Sequence, residues 1–508
     1  MNTSTEGRGP LGFLLADVRR FGRFFGSDFR DGLHPQVLAS VVFLFFACLA
    51  PAIAFGGLMS VVTDGAIGVV EMIVATSLCG VVYALFAGQP LTILGGTGPL
   101  LVFTEILYLF CKQLGVPFLS AYAWIGLWTA GFLVLLSIFG ASRWIRLFTR
   151  FTDETFAALI SLIFIFEAVS NILRAFPDQR IPDDSALLSM LLALGTLYVS
   201  TILARLRRSP YLREWLRNVL ADFSPAIAIG LMLFARRMVP TVHLPSLAIP
   251  TQFATTIGRP WLLPLFSGPS WLPVAAALPA VLVTVLVYLD QNITARLVNS
   301  PENKLQKGPA YDLDLLIVGA LFGICSIFGL PWLVGATVRS LNHVRSLATV
   351  EVSTDGTAII KAVRENRLSA LCVHLLIGSS LLVAASLLRQ VPMAILFGLF
   401  LYMGIASTRS NQLFERLRLW IMDPARYPPT YYLRRVPLPI VNRFTLVQLG
   451  CLIILWIVKT SRAGILFPLF IALLVPVRRL LDRFLPPEHT ATLDQEESDA
   501  EVEDRAVE

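Results

Sequence analysis

Apolar runs of about 20 residues recur along nearly the whole chain, each long enough to cross a bilayer as a helix. No other feature constrains the fold as strongly. Inside hydrocarbon every backbone N–H and C=O must be satisfied within the protein, which restricts a spanning chain to helices or a closed barrel. Of 508 residues, 56% are hydrophobic and 15% charged, against about 25% charged in a soluble chain. The runs therefore predict an all-α polytopic membrane protein. The net charge of +7 is no sign of nucleic-acid binding, because the basic residues lie in loops, where they set topology. Six cysteines (Cys48, Cys79, Cys111, Cys325, Cys372, Cys451) are scattered without CxxC or metal-ligand spacing and read as small apolar filler. There is no nucleophile–base set, metal motif or phosphate loop, so neither an enzyme nor a cofactor is expected. The N-terminal stretch has no signal-peptide pattern.

The runs divide into about fourteen spans. A basic segment, 1–33, contains Arg19, Arg20, Arg23 and Arg30 and predicts a surface helix over Phe13 to Phe25. The first span covers roughly 34–59, where Pro51 and the Gly56-Gly57 pair predict a bend and close packing. A Pro- and Trp-rich stretch, 240–272, reads as a folded extracellular or periplasmic loop. Between the twelfth and thirteenth spans, Leu413, Leu417 and Trp420 have the spacing of an interfacial amphipathic helix. The acidic tail, 486–508, predicts disorder. Basic residues concentrate in alternate loops (Arg143 and Arg150; Arg205, Arg207 and Arg213; Lys304 and Lys307; Arg364 and Arg367), which places both termini in the cytoplasm.

Two spans break the pattern. In GQPLTILGGTGPLLVFTEILYLF (88–110), Gln89 to Thr97 mixes Pro, Thr and Gly and predicts an extended half, followed by a half-helix from Pro99. GLPWLVGATVRSL (329–341) repeats that grammar, with a half-helix from about Thr337. Each is the third span of its half, which points to a 7+7 inverted repeat. The two helix starts would then meet at the midplane, and their unpaired N–H groups around Thr97, Gly98, Pro99, Ala336 and Thr337 would hold a small anion. Charges inside spans are costly and default to function. Arg339, in the first turn of the second half-helix, adds a positive planar fork matched to an oxyanion. Asp290 and Thr294 lie one turn apart on the eighth span and offer a carboxylate and a hydroxyl to a coupling Na⁺ or H⁺. An alternative reading has Asp290 and Arg339 neutralise one another as a structural pair. Glu105, midway along the first half-helix, and His343, one turn past Arg339, are further candidates. Glu71 also falls inside a span, and Glu167 reads as interfacial.

At these same residues the chain resembles the bicarbonate transporter family, the anion exchangers and sodium–bicarbonate cotransporters. The matching stretches are LAPAIAFGG (49–57), GQPLTILGGTGPLLVF (88–103), FTRFTDETFAALISLIFIFEA (148–168), YLDQNITARLVNSPENKLQKG (288–308), LDLLIVGALFGICSIFGLPWLVGATVRSLNHVRSL (313–347) and VPMAILFGLFLYMGIASTRSNQLFERL (391–417). The resemblance implies a core domain (34–140 with 273–388), a gate domain (141–239 with 389–485), a homodimer through the gate domains and elevator-like movement of the core. It matches Asp290 to the family's span-eight acid, Thr294 and Thr337 to polar groups near the ion site, and Arg339 to the arginine of the chloride–bicarbonate exchangers. DQNIT resembles the sodium-coupled branch, which typically lacks that arginine, and Thr104 stands where a glutamate is common. The large N-terminal cytoplasmic domain of animal members has no counterpart here, which suggests a compact bacterial-type member in the plasma (inner) membrane. The implied function is secondary active transport of bicarbonate, carbonate or a similar small anion such as chloride, by exchange or with Na⁺ or H⁺. A borate transporter of the same fold and an anion channel are the alternatives.

Overall fold

The computed structural model describes residues 10–494 except 179–180, 248, 353–357, 384, 410, 429 and 462–463. In chain order the helices and strands are α1 (Pro10–Arg30), α2 (Pro35–Val62), α3 (Val69–Phe86), β1 (Leu94–Gly95), α4 (Gly98–Leu114), α5 (Phe118–Ile138), α6 (Arg150–Leu173), α7 (Asp183–Arg205), α8 (Glu214–Asp222), α9 (Ser224–Arg237), α10 (Leu272–Ala275), α11 (Ala277–Val298) and α12 (Tyr311–Phe328). They continue as β2 (Val334–Gly335), α13 (Thr337–Ser346), β3 (Ala348–Val352), β4 (Ala358–Val363), α14 (Leu368–Val383), α15 (Ala385–Leu388), α16 (Met393–Arg409), α17 (Gln412–Leu419), α18 (Tyr431–Arg435), α19 (Leu438–Thr460), α20 (Phe467–Ala472), α21 (Leu474–Leu481) and α22 (Pro487–Leu493). Among the described residues nine helices are long and apolar enough to span a membrane, or eleven when the bent pairs α8–α9 and α16–α17 each count as one. The all-α expectation needs one correction: β1 pairs with β2, and β3 with β4, both antiparallel. The β3–β4 pair draws on the β-branched residues of ATVEV and AIIKAV.

One compact unit comprises residues 10–143 and 170–399 of the described chain. The α2 helix starts at Pro35, capped by the His34 ring accepting from Gln36 N at 3.2 Å, and runs through Pro51. Glycine lets the neighbouring helices close up. A Cβ on Gly56 would lie 2.6 Å from the Val69 backbone, and one on Gly80 1.9 Å from the His374 ring. Glu71 is fully buried and fastens the 240–272 loop: it accepts from Gly68 N (2.9 Å) at the start of α3 and from Thr256 N (2.8 Å) and the Thr256 hydroxyl (2.5 Å). Its place inside a span is thus explained by packing. From the same loop, Arg259 donates to Gly329 O (2.8 Å) just past α12, where unpaired carbonyls favour a cation.

The α1 helix extends the expected Phe13–Phe25 stretch at both ends and docks through one face. Leu14 packs with Ala310 and Leu313. Asp17 accepts from Asp312 N (3.1 Å) and Leu313 N (3.3 Å), and Arg20 donates to Pro309 O. Asp28 pairs with Lys307 (2.6 Å) and with Arg367 (2.8 Å), a fully buried arginine that also donates to Ala84 O (2.9 Å) and Ala87 O (2.7 Å) at the end of α3.

The second unit comprises 144–169 and 400–494 of the described residues. Here the stretch expected to form a helix around Leu413 and Leu417 forms α17. The buried face of α17 carries Leu413, Arg416 and Leu419, while Trp420 is 44% exposed. The cause is Arg416, which reaches Glu154 and Gln448, both at 2.6 Å, and so turns its side of the helix inward. Glu167 pairs with Lys459 at 3.1 Å. The predicted disorder after Pro486 is also corrected as far as residue 494. Leu493 is buried, and Asp494 pairs with Arg478 while accepting from Phe151 N (2.9 Å). Residues 495–508 lie outside the described part.

One prediction follows from the docking of α1. Burial, then the nearby charge of Asp312, push the Asp17 carboxyl from 3.8 up to about 6, against the lowering effects of its two N–H donors and Arg20. A carboxyl raised in the folded state stabilises docking fully below about pH 4, and that contribution disappears as pH rises through about 6. Asp17→Asn, which stays neutral, should gain about 1–2 kcal/mol over wild type at pH 7.5 and little at pH 4.5, measured by thermal unfolding in detergent at the two pH values.

Candidate functional site at the crossing of two broken helices

The two extended halves lie side by side, with Leu94 opposite Gly335 and Gly95 opposite Val334. Ala336 N donates to Ile93 O at 2.8 Å and extends the pairing by one bond. Each strand runs directly into a helix start, at Gly98 and at Thr337, close to where the sequence places them. Neither N-cap residue, Thr97 nor Ala336, caps its helix with a side chain. First-turn N–H groups lack intrahelical partners, so both starts present free donors and the positive end of a helix dipole. Pro99 removes no useful bond, because its position in the first turn has no acceptor to lose.

The α11 helix crosses both strands and fixes them through polar side chains. Asp290 accepts from the Thr97 hydroxyl at 2.9 Å. Gln291 accepts from Gly335 N at 2.9 Å and donates to the Tyr83 hydroxyl at 3.2 Å. Thr294 donates to Gly335 O at 3.0 Å and lies 2.7 Å from the Thr337 hydroxyl. Both backbone polar groups of Gly335 are thus held by α11. Sequence reasoning missed Gln291 and Tyr83. The available signal was the polar run DQN inside an otherwise apolar span, where Asp290 drew attention from its neighbour.

Arg339 sits in the first turn of α13, 8% exposed, and lies across β1. Its Nη2 donates to Gly96 O at 2.7 Å. Its Nη1 is buried and has no hydrogen-bond partner among the described residues. A Cβ on Gly95 would stand 2.0 Å from that Nη1, so only glycine lets the guanidinium lie there. The alternative in which Asp290 and Arg339 form a neutralising pair is corrected. Asp290 is engaged by Thr97 and Arg339 by a backbone carbonyl, and no ion pair joins them among the described residues. The short Asp290 side chain is spent on the α4 start, while the guanidinium reaches back over Gly95 and Gly96.

His343 does not join this group. Its Nδ1 is 3.0 Å from Leu91 O and its Nε2 2.6 Å from the Ser369 hydroxyl. With Ser340, which accepts from Ile93 N at 2.9 Å, it anchors the extended half 91–93. Glu105 lies two turns along α4, half-buried, and bonds neither Asp290 nor Arg339. Thr104 donates to Leu100 O within its own helix. Among the described residues no group of three or more His, Cys, Asp or Glu is placed to hold a metal. A cation at Asp290 would therefore have one carboxylate and otherwise neutral oxygens such as those of Thr97, a donor set suited to a hard monovalent ion more than to a transition metal. Two uncapped helix starts and a guanidinium with one unspent donor adjoin the strand pair, and the Asp290 carboxylate holds the Thr97 hydroxyl at the α4 start.

The family model described as "HCO3- transporter integral membrane domain" matches residues 10–183 and 177–498. Anion exchange protein 3 of Danio rerio is 38% identical over 523 residues, 96% of this chain and 45% of that protein. The sodium-driven chloride bicarbonate exchanger of Homo sapiens is 37% identical over 556 residues, 95% of this chain and 50% of that protein. The chain thus spans about half the length of the curated relatives it matches. Among solved structures, the transmembrane domain of the cyanobacterium bicarbonate transporter BicA superposes with a TM-score of 0.58 at 17% identity, over 82% of this chain and 97% of that one. SLC26A9 superposes with a TM-score of 0.61 at 12% identity, over 95% and 72%. These two show a shared fold. The family match covers almost the whole chain, and the chain belongs to the bicarbonate transporter family of multi-pass membrane proteins.

Proposed function

We propose that this protein is a secondary active transporter of bicarbonate, or of carbonate or a similar small inorganic anion, and that the anion binds at the crossing of the two broken helices. One observation carries the reading. Arg339 is buried, its Nη1 has no partner among the described residues, and it stands at two uncapped helix starts. A buried guanidinium donor left unpaired is costly, and an oxyanion supplies what it lacks, in the bidentate geometry arginine favours. The names of the relatives, an anion exchange protein and a sodium-driven chloride bicarbonate exchanger, point to the same cargo class.

In this proposal the anion lies against Arg339 and the N–H groups of Gly98, Thr337 and their neighbours, with Thr97, Pro99 and Ala336 shaping the site. Asp290, with the Thr97 hydroxyl and the Thr294–Thr337 pair one turn along α11, takes the coupling Na⁺ or H⁺, or balances the arginine during exchange for a second anion such as chloride. The cargo leaves chemically unchanged, so the protein is a carrier and not an enzyme. Our reading keeps fourteen spans, taking the half-helices α4 and α13 and the shorter apolar α14 as spans beside the nine to eleven long apolar helices. The β1–β2 pairing between corresponding places of the two halves supports a 7+7 inverted repeat. We further propose elevator-type alternating access, with 34–140 and 273–388 moving through the bilayer as the carrier body, a homodimer through the remaining spans, and both termini in the cytoplasm.

The test is uptake of labelled bicarbonate into proteoliposomes, with and without Na⁺, chloride and a pH gradient. Saturable uptake that accelerates with counter-anion inside identifies exchange, and acceleration by Na⁺ or by a pH gradient identifies coupling. Flux without saturation identifies a channel and sinks the carrier reading; preference for borate reassigns the cargo. Arg339→Ala should raise the half-saturating bicarbonate concentration at least about tenfold, the value of one charged hydrogen bond in a buried site. Unchanged affinity removes Arg339 from the site. Gly95→Ala, which leaves every charge in place, should have a comparable effect by pushing the guanidinium off β1.

Asp290→Asn separates the coupling role from anion binding. It keeps a partner for the Thr97 hydroxyl and should leave anion affinity within about threefold of wild type. Stimulation by Na⁺ or by a pH gradient should vanish, as read from the same uptake assay. Full stimulation in this variant would exclude Asp290 as the coupling residue.

A further inference from the structure

The outward face of α1 is unlike the face that docks. Leu11, Leu15 and Val18 are 53%, 51% and 42% exposed and form a continuous apolar stripe at helical spacing. Beside it, on the same side, run the exposed arginines Arg19, Arg23 and Arg30. Gly22 and Gly26 lie within this face, and a Cβ at either would meet nothing within 4 Å, so the surface is flat. The carboxylates of α1 and of the turn after it are spent on the core: Asp17 on the start of α12, Asp28 on Arg367 and Lys307, Asp31 on Lys307. Among the described residues none lies within ion-pair distance of Arg19, Arg23 or Arg30.

What covers this face follows from where the helix ends. Four residues separate Arg30 from Pro35, the first residue of the spanning helix α2. A helix tied that closely to the end of a span lies at the boundary between water and hydrocarbon, and an apolar stripe edged with arginines suits a bilayer surface bearing negative headgroups. We infer that α1 is an anionic-phospholipid binding element: Leu11, Leu15 and Val18 enter the acyl boundary while Arg19, Arg23 and Arg30 engage phosphate-bearing headgroups. Through its opposite face the same helix bonds the start of α12, and its Asp28 pairs with Arg367, which donates to Ala84 O and Ala87 O at the end of α3. Lipid charge therefore reaches the scaffold of the site through a 21-residue rigid element. The inference rests on the membrane placement of α2 and not on the identity of the cargo.

The test uses the full chain in nanodiscs of phosphatidylcholine alone or mixed with phosphatidylglycerol, with amide hydrogen exchange as the readout. Exchange across residues 10–30 should slow in the anionic discs by up to about a hundredfold, the product of roughly fivefold for each arginine, and high salt should reduce the difference. A variant carrying Arg19→Gln, Arg23→Gln and Arg30→Gln should lose the lipid-dependent difference while α12 keeps wild-type protection, which shows an intact fold. Leu11→Ser with Leu15→Ser should weaken protection in both lipids. Equal protection of the wild type in the two lipids overturns the inference. So does a lipid response retained in the arginine variant, or protection that follows protein concentration in place of lipid charge, which would mean that a second copy covers the face.

Discussion

Two residues from each of two chain segments some 240 positions apart form the antiparallel pair on which the site depends. Leu94 and Gly95 meet Gly335 and Val334, and the helix starts beside them take their direction from that pairing. Irregular backbone at membrane depth survives only where the protein satisfies its polar groups. Here the strands pair with each other, and side chains of α11 and α13 take further backbone groups: Gln291 takes Gly335 N, Thr294 takes Gly335 O and Ser340 takes Ile93 N, while Asp290 takes the Thr97 hydroxyl. Because these bonds complete the strands, the first-turn N–H groups of α4 and α13 are left over at the ends. Satisfaction of the strands and exposure of the helix starts are two aspects of one arrangement.

Most of this could be read from residue type, but unevenly. The breaks were legible because Pro, Gly and Thr crowd where a span needs helix formers, and the helix starts because Pro99 and Thr337 resume an apolar run. Arg339, Asp290 and Thr294 stood out as polar groups in apolar surroundings. Gln291 did not, although it bonds both strand β2 and Tyr83, because an uncharged amide beside an aspartate gives no separate signal. His343 was a reasonable candidate by position, yet both its ring nitrogens are taken by Leu91 and Ser369. Nothing in the sequence specifies a partner 252 residues away. Glu71 shows the same limit. Its position inside a span suggested function, whereas its oxygens tie α3 to the 240–272 loop through Thr256.

The second unit repeats the lesson with an arginine of the opposite kind. Arg416 is as deeply buried as Arg339, but it has Glu154, Gln448 and Gln412 as partners. Its charge is matched, its geometry fixed, and the helix that carries it is turned inward as a result. The spacing of Leu413, Leu417 and Trp420 gave no sign of a buried Arg416, because its Glu154 partner lies 262 residues earlier.

Unlike Arg416, Arg339 has no carboxylate partner among the described residues, and Asp290 does not pair with it. In a low-dielectric site a guanidinium and a carboxylate in contact attract each other strongly enough to offset much of their desolvation. Such a pair would leave neither side with anything to offer an ion. In the structure each has a neutral partner instead: a threonine hydroxyl for Asp290, a glycine carbonyl for Arg339. A carbonyl cannot neutralise a guanidinium, so the positive potential persists and is reinforced by two helix starts. Gly95 is what permits this, since any side chain there would displace the guanidinium from the strand. In the family reading, the affinity of the site for an anion comes from an attraction that the fold keeps from being satisfied internally.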